Sequence, residues 1–131
     1  LPSDKCVELV NDVGRDVSIT ADKLHLSQMV GNLIENAVKY SGESVRIRFG
    51  CEYTEGHVAI CVSDTGTGIA DSDVDKIFEK FYRATSAMQS GLPGVGLGLA
   101  YVKLLAEAHG GRVEVVSRIG EGSTFTINLP Q

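Results

Sequence analysis

The sequence predicts an α/β (α+β) two-layer sandwich, in which a mixed, mostly antiparallel sheet of about five strands carries about three helices on one face. Two patterns favour this class, because apolar residues recur at helical spacing in some segments and alternate with polar residues in others. At 131 residues, of which 43% are hydrophobic, the chain is long enough to bury a core. We therefore expect residues 1–131 to form a single domain.

The first half is predicted to contain two short strands, a long helix and a β-pair. The two short strands are residues 7–10 and 16–20. The β-pair, in which apolar and polar residues alternate, comprises residues 45–53 and 57–63. Glycine within two residues of an acidic residue marks turns at 12–14 and 55–56. Thr20 or Asp22 can cap the helix, since a side-chain oxygen accepts hydrogen bonds from the first amides, and Gly42 can end it. Its apolar residues at helical spacing are Leu26, Met29, Val30, Leu33, Ile34 and Ala37.

The second half is predicted to contain two helices, a loop and a second β-pair. The first helix is short and amphipathic, and its apolar residues are Val74, Ile77, Phe78 and Phe81. Residues 83–93 show no period and are predicted to form a mobile loop. A helix over 95–108 is closed by a His-Gly-Gly sequence at 109–111. The last strands, which pair around glycines at 120–122, are residues 112–117 and 123–129.

Charge and composition exclude several classes of function. The net charge of −5 and the pI near 5.1 argue against binding to the phosphate backbone of a nucleic acid. No apolar run approaches the roughly 18–20 residues that span a bilayer, so we expect no direct membrane contact. The three cysteines, Cys6, Cys51 and Cys61, form no metal-binding or disulfide pattern, and an odd count fits a reducing, cytoplasmic location.

The long helix carries polar residues that share one strip beside its apolar stripe, because successive residues rotate by about 100°. They are Asn32, Asn36, Lys39 and Tyr40. Asparagine is a poor helix former, and a neutral amide oxygen is a suitable ligand for Mg²⁺ whose other ligands are phosphates and water. Lys39 would then contact phosphate as a point charge. The alternative is a solvated helix flank, with an asparagine hydrogen-bonded to a nearby loop.

An acidic glycine turn, DTGTGI at residues 64–69, follows the strand at 57–63. An ionised carboxylate only accepts hydrogen bonds, so Asp64 suits an exocyclic amine such as that of adenine. Gly66 and Gly68 would leave room for a flat base to approach the backbone. The alternative is an Asx-turn in which the glycines only turn the chain.

Gly94, Gly96 and Gly98 lead into the helix at 95–108. The unpaired amides and the positive dipole end of a helix N-terminus favour phosphate. The segment is neither a P-loop, since no Gly-Lys-Ser/Thr follows, nor a dinucleotide fingerprint, since Leu99 replaces the last glycine. The alternative is a flexible hinge into a packed helix.

Three further features permit a functional and an ordinary interpretation. The two phenylalanines at 78 and 81 can anchor the following loop or simply pack in the core. Arg83 could reach phosphate or be solvated, and Thr124 could bond to the base region or be an ordinary strand residue. No nucleophile–base pair stands out, so triad-type hydrolase chemistry has little support.

Together these segments resemble the catalytic, ATP-binding domain (HATPase_c) of sensor histidine kinases, in the GHKL superfamily with the Bergerat fold. Residues 32–41 (NLIENAVKYS) resemble the N box, and 64–69 the G1 box. The remaining motifs of the resemblance are an F box at 78–83 (FEKFYR), a G2 box at 94–99 (GVGLGL), and a closing element at 120–125 (GEGSTF) with Leu129 and Pro130. The five motifs stand in family order, and the match covers nearly the whole chain.

The resemblance implies ATP and Mg²⁺ as cofactors and assigns residues to them. Asn36 would be the principal Mg²⁺ ligand, with Asn32 in support. Asp64 would accept a hydrogen bond from the adenine amine. The base would be lined by Gly66, Gly68, Ile69 and Thr124. Phosphates or ribose would be contacted by Lys39, Tyr40, Arg83, Gly94, Gly96, Leu97, Gly98 and Leu99, of which the two leucines act through their amides.

The resemblance also indicates phosphoryl transfer rather than hydrolysis. Hydrolysing relatives carry a water-activating glutamate four residues before the metal asparagine, where this chain has Asn32. Glu35 lies about 100° around the helix from Asn36 and points away from the strip.

In the family, an acidic residue immediately follows the phosphoacceptor histidine. None of the histidines of this chain is immediately followed by an acidic residue. We therefore expect the phosphoacceptor histidine on a dimerisation domain N-terminal to residue 1 in a longer parent. On its own, this chain would bind MgATP without autophosphorylating. Its expected partners are that domain and the receiver domain of a response regulator.

Two other functions share some of these motifs. A GHKL protein-serine kinase of the anti-sigma type has the N, G1 and G2 elements, although the FEKFYR segment and the closing GSTF…LP favour the histidine kinase. A degenerate module could bind nucleotide or dock a partner without transfer, although each motif position inspected is intact.

Overall fold

The sheet is mixed, with the strand order β1-β2-β3-β5-β4. Its strands are β1 (Cys6–Asn11), β2 (Ser44–Thr54), β3 (His57–Asp64), β4 (Arg112–Arg118) and β5 (Gly122–Pro130). The computed structural model describes residues 6–11, 21–39, 44–54, 56–79 and 98–131. Four of the strands, β2, β3, β5 and β4, pair antiparallel, and β1 joins β2 in parallel at one edge. The prediction of a mixed, mostly antiparallel sheet of five strands is confirmed, while the strand predicted at 16–20 lies outside the described residues.

Within the described residues, two helices of more than two turns lie against this sheet. They are α1 (Lys23–Lys39) and α3 (Gly98–Ala108), and a single turn, α2 (Asp71–Val74), precedes α3. Asp22 caps α1, because its Oδ1 accepts a hydrogen bond from the amide of His25 at 2.9 Å. The first turn closes with the amide of Leu26 bonded to the carbonyl of Asp22 at 2.9 Å.

The short amphipathic helix predicted from Val74, Ile77, Phe78 and Phe81 is wrong over residues 75–79, and Phe81 lies outside the described residues. Within residues 71–79, the helix covers Asp71–Val74, and the backbone continues in turns to residue 79. The amides of Lys76 and Glu79 bond three residues back, at 2.8 and 2.9 Å, instead of four. Such turns place apolar side chains on one side much as a helix does, so Ile77 is still buried in the core.

The core lies between the sheet and the helices. Alternate residues of the strands face it, and α1 packs over β2 and β3 while α3 packs over β4 and β5. The helical core residues are Met29, Leu33, Ala37, Val38, Val102, Leu105 and Ala106. Those of the sheet are Val45, Ile47, Val58, Ile60, Val62, Phe125, Ile127 and Leu129. Helices on one face of one sheet confirm the two-layer sandwich.

Strand register decides which side chains can reach a site under the helices. Val62 pairs with Phe125, and two residues further on Asp64 pairs with Ser123, so Asp64 and Ser123 share the helix face. The intervening pair faces the other way, with the hydroxyls of Ser63 and Thr124 2.9 Å apart. In the described parts of the chain, no helix is both long and apolar enough to cross a bilayer.

Candidate functional site

Asp64 is half-buried at the carboxyl end of β3. Its Oδ1 accepts a hydrogen bond from the amide of Gly66 at 2.8 Å, which makes the Asx-turn of the alternative interpretation. Burial raises the pKa of the Asp64 carboxyl, and hydrogen bonds from the backbone amides of Gly66 and Ser123 partly oppose that rise. A carboxylate has about four lone-pair positions, so these two bonds leave it able to accept a bond from a ligand.

The turn at 64–69 is held on both sides by backbone hydrogen bonds. On the β2 side, Thr65 and Arg46 exchange two bonds: the Arg46 amide donates to Thr65 Oγ1 at 2.9 Å, and the Thr65 amide donates to the Arg46 carbonyl at 3.2 Å. On the other side, the Gly120 amide of the β4–β5 hairpin donates to the Thr67 carbonyl at 2.9 Å. The carboxylate of Asp64 therefore projects from a turn that is anchored at both flanks.

Two glycines allow the hairpin and the turn to meet backbone to backbone. Gly68 has a φ of 78°, and a Cβ there would lie 2.0 Å from the carbonyl oxygen of Arg118. Gly122 has a φ of 110°, and its Cβ would lie 2.0 Å from the carbonyl oxygen of Asp64. The absence of a side chain at Gly68 is thus explained by the hairpin, without the flat base that we had expected it to accommodate.

The polar strip of α1 faces the start of α3. Asn32 Nδ2 donates to the carbonyl of Gly98 at 3.4 Å, which leaves the Asn32 amide oxygen as an acceptor. Asn36 lies one turn along the same strip and, like Asn32 and Lys39, is half-buried. The alternative interpretation of this strip expected an asparagine to bond to a nearby loop, whereas Asn32 bonds to the first residue of α3.

The side-chain oxygens of the polar strip suit a metal ion whose coordination is completed by a bound ligand. No group of three or more His, Cys, Asp or Glu residues is arranged to hold a metal ion in the parts of the chain that the structure describes. The amide oxygens of Asn32 and Asn36 are neutral, hard ligands of the kind that Mg²⁺ accepts beside phosphates and water. The strip therefore fits a Mg²⁺ ion that arrives with a phosphate ligand.

At the start of α3, the two described site residues, Gly98 and Leu99, lie in different surroundings. Gly98 is exposed, whereas the side chain of Leu99 packs against the core. Amides in the first turn of a helix have no partner within the helix, so they can donate to an anion. Five of the predicted site residues, Tyr40, Arg83, Gly94, Gly96 and Leu97, lie outside the described residues.

The structure does not bring Thr124 to the site. The hydroxyl of Thr124 bonds to Ser63 on the face of the sheet that points away from the helices. Ser123 takes its place beside Asp64, and only 7% of Ser123 is exposed. Neighbouring residues on a strand face opposite sides of the sheet. Ser123 lies two residues before the apolar Phe125 and therefore shares its face, and this pattern in the sequence could have identified Ser123.

A cavity of about 520 Å³ adjoins the start of α3. Its described lining residues are Asn32, Phe78, Gly98, Ala100, Tyr101, Lys103, Leu104 and Glu107. Phe78 also meets Phe125 edge to face, with ring centroids 6.2 Å apart, so Phe78 serves both as core and as cavity wall. Asp64 is not among these described lining residues, and the cavity therefore marks the Asn32–Gly98 side of the site only.

Comparison with known proteins places this arrangement in a family. Residues 21–131 match the family described as histidine kinase-, DNA gyrase B- and HSP90-like ATPase (HATPase_c). The sensor protein SrrB of Staphylococcus aureus strain MRSA252 is 38% identical over 112 residues, which cover 86% of this chain. The chain spans only 19% of the length of that relative.

Solved structures agree with the sequence relatives. The mycobacterial sensor histidine kinase MprB superposes with a TM-score of 0.83 at 31% identity, covering 95% of this chain and 83% of the other. Full-length ShkA in complex with AMPPNP gives a TM-score of 0.77 at 33% identity, covering 95% of this chain and 25% of ShkA. The chain belongs to the family of histidine kinase-, DNA gyrase B- and HSP90-like ATPases, and the relatives that it resembles there include a sensor protein and a sensor histidine kinase.

Proposed function

We propose that this chain is the MgATP-binding catalytic domain of a two-component sensor histidine kinase. It would donate the γ-phosphate of ATP to a histidine on a separate dimerisation domain, for onward transfer to an aspartate of a response regulator. The observation that carries the proposal is the half-buried carboxylate of Asp64, which two backbone amides orient at the end of β3, in a chain whose family match covers residues 21–131.

The site divides into a base side and a phosphate side. On the base side, Asp64 accepts a hydrogen bond from the adenine amine, beside Gly66 and Ile69. On the phosphate side, Asn36 and Asn32 hold Mg²⁺ through their amide oxygens, and Lys39 and the first amides of α3 bind phosphate oxygens. The bound Mg²⁺ supplies charge neutralisation at the phosphates, and the residues of the chain supply orientation.

Transfer rather than hydrolysis is supported by the absence of a base on the phosphate-facing strip. Asn32 occupies the position at which hydrolysing relatives carry glutamate, and a carboxamide cannot take a proton from water. Its Nδ2 is bonded to the carbonyl of Gly98. Glu35 is exposed, while Asn36 beside it is half-buried, which is consistent with a carboxylate that points away from the strip.

The partners follow from the same proposal. A histidine acceptor on a dimerisation domain and a receiver domain of a response regulator are the macromolecules that this chemistry requires. We also propose a cytoplasmic location. Cys51 and Cys61 form no disulfide, which is the usual state of thiols in a reducing compartment.

Calorimetric titration with a non-hydrolysable ATP analogue, with and without Mg²⁺, tests the site. We expect magnesium-dependent binding at one site, and we expect Asp64→Asn to abolish it while the circular dichroism spectrum stays native. The matched control is Ser63→Ala, the preceding residue on the opposite face, which should bind normally. Unchanged affinity in folded Asp64→Asn would contradict the proposed base side.

Transfer is tested by adding an acceptor domain to the ATP-loaded protein. Acid-labile phosphorylation of its histidine is expected. Phosphorylation of a serine on a partner would instead support the anti-sigma type of kinase. Tight ATP binding without transfer to any supplied acceptor would support the nucleotide-binding or docking module.

A further inference from the structure

The strand β4 forms one edge of the sheet. It pairs with β5 on one side, and within the described residues no strand pairs with its other side. Such an edge leaves a row of backbone N–H and C=O groups with which another strand can pair. The seven residues of Arg112–Arg118 are long enough for a pairing of ordinary strand length.

The hairpin shows which backbone groups of β4 point outward. The amide of Glu121 donates to the carbonyl of Arg118 at 3.1 Å, so the backbone groups of Arg118 point inward, toward the hairpin and β5. In an antiparallel ladder this direction alternates from one residue to the next. The N–H and C=O groups of Val115 and Ser117 therefore point away from β5. The hydroxyls of Ser117 and Ser123, 2.7 Å apart, agree with this, because side chains approach closely in pairs that exchange no backbone hydrogen bonds.

The face of β4 that points away from the helices carries an acid, a valine and a base in turn. Val115 packs against the core, so Glu114, Val116 and Arg118 stand on the opposite face. Val116 is 74% exposed, and the side chains of Glu114 and Arg118 are 54% and 82% exposed. An antiparallel copy presents the same three residues in reverse order, so this row is complementary to itself.

We propose that the outer edge of β4 is a self-association surface, to which a second copy of this chain adds its own β4 in antiparallel orientation, with the two copies of Val116 facing each other on a two-fold axis. In this register, Glu114 of each copy lies opposite Arg118 of the other. Val115 and Ser117, whose backbone groups point outward, exchange hydrogen bonds across the axis. Two five-stranded sheets then form one continuous sheet. The inference concerns the edge of the sheet and does not rest on the proposed function.

The charges favour this register over full overlap of the two strands. If the strands overlapped along their whole length, Arg112 of each copy would face Arg118 of the other, and the like charges would repel. An overlap of residues 114–118 places opposite charges together at both ends instead. Exposed ion pairs contribute little singly, and the interface is small, so we expect a weak and reversible dimer.

Sedimentation equilibrium from about 1 μM to about 1 mM protein tests the association. We expect a monomer–dimer equilibrium. Glu114→Arg and Arg118→Glu each place like charges opposite one another at two points, so each should raise the dimer dissociation constant about tenfold or more. The exchanged variant Glu114→Arg/Arg118→Glu should recover much of that loss, because opposite charges face each other again.

A pair of exposed residues on α3 supplies controls with the same changes in net charge. Lys103→Glu and Glu107→Arg lie away from the β4 edge, and their dimer dissociation constants should match the native value. A native protein that stays monomeric at about 1 mM would overturn the inference. So would a dimer that both single reversals at the edge leave unchanged, or one that the α3 variants weaken equally.

Cross-linking locates the axis and does not depend on the charge variants folding. Val116→Cys would place two thiols opposite each other in a pair whose Cα atoms lie about 4.5 Å apart, within reach of a disulfide. We expect mild oxidation to give a covalent dimer on a non-reducing gel, above the background of the native protein. Ile119→Cys is the control, because Ile119 is 65% exposed but lies off the axis and should not cross-link. No cross-link in Val116→Cys, or equal yields from both variants, would refute the proposed register.

Discussion

His109 accepts a hydrogen bond from the backbone amide of Asp22, through Nε2 at a distance of 3.3 Å. Its other nitrogen, Nδ1, lies 2.8 Å from the carbonyl oxygen of Leu105, which can only accept. The two contacts together correspond to the tautomer that carries its proton on Nδ1. This contact joins the end of α3 to the start of α1, while Asn32 and Gly98 join the two helices further along. The helices α1 and α3, which carry the proposed phosphate side, therefore run antiparallel and are joined at two points along their length.

Replacement of His109 tests how much this link stabilises the fold. His109→Phe keeps the ring volume but removes both hydrogen bonds, so we expect the free energy of unfolding to fall by about 1 kcal/mol. Tyr101→Phe is the matched control, because it removes one exposed bond, from Tyr101 Oη to Gln28 Oε1 at 3.2 Å, and should cost within about 0.5 kcal/mol. Urea denaturation measures both. Equal costs would show that the His109 link is no stronger than a surface contact.

The raised pKa of Asp64 predicts a pH dependence of stability. Because burial raises the pKa of Asp64 above 3.8, the folded state binds more protons than the unfolded state between 3.8 and the raised value. The stability of the ligand-free domain should therefore fall as pH rises through that window. Asp64→Asn removes the titrating group, so its stability relative to the native protein should increase as the pH rises from 3.8 through the raised pKa of Asp64.

Urea midpoints of the two proteins across this range check the sign. The variant that is expected to abolish nucleotide binding should thus gain stability relative to the native ligand-free domain as the pH rises. A relative stability of Asp64→Asn that decreases with rising pH would mean that the fold stabilises the carboxylate rather than the acid.

A pair of glycines with the same backbone conformation tests the contact between turn and hairpin. Gly56 and Gly68 both have a φ of 78°, but a Cβ at Gly56 meets nothing within 4 Å, whereas one at Gly68 would lie 2.0 Å from the Arg118 oxygen. Gly56→Ala should cost about 1–2 kcal/mol for the left-handed conformation alone. Gly68→Ala should cost about 1–3 kcal/mol more, for the overlap with the hairpin. Thermal or urea unfolding gives both numbers, and equal costs would show that the hairpin moves away freely.

The sequence predicts strands well where alternation is strong. The strands expected at 45–53 and 112–117 are found at Ser44–Thr54 and Arg112–Arg118, and Asp22 is one of the two caps that were expected for α1. Period-2 patterns and cap residues are local, so one sequence suffices to recognise them. The same locality explains the wrong extent of α2, since turns and a helix both place Ile77 inward.

Local sequence patterns do not determine which residues of different strands pair with one another. Thr124 was expected at the base, yet the partner of Asp64 across the strands is Ser123. The hydrogen bond from Ile69 to Ser117 joins residues 48 positions apart, and nothing near either residue in the sequence indicates it. Residues that complete the site through another strand are therefore visible only once the strands are paired.

Neighbouring residues on α1 provide the sharpest test of the proposed metal ligand. Asn36 shares the strip of Asn32 and is half-buried, whereas Glu35 is exposed and lies about 100° away around the helix. If the amide oxygen of Asn36 holds Mg²⁺ beside the phosphates, Asn36→Ala should remove most of the gain in nucleotide affinity that Mg²⁺ gives the native protein. The loss should be about tenfold or more, as for a bond to a charged group.

Removal of Mg²⁺ with a chelator completes that comparison. Chelation should weaken binding to the native protein and to Glu35→Ala alike, because the Glu35 side chain points away from the site. It should leave the affinity of Asn36→Ala almost unchanged, since that variant has already lost the ligand. An Asn36→Ala protein that still gains the native amount from Mg²⁺ would place the metal on other residues, and Asn32→Ala would be the next variant to titrate.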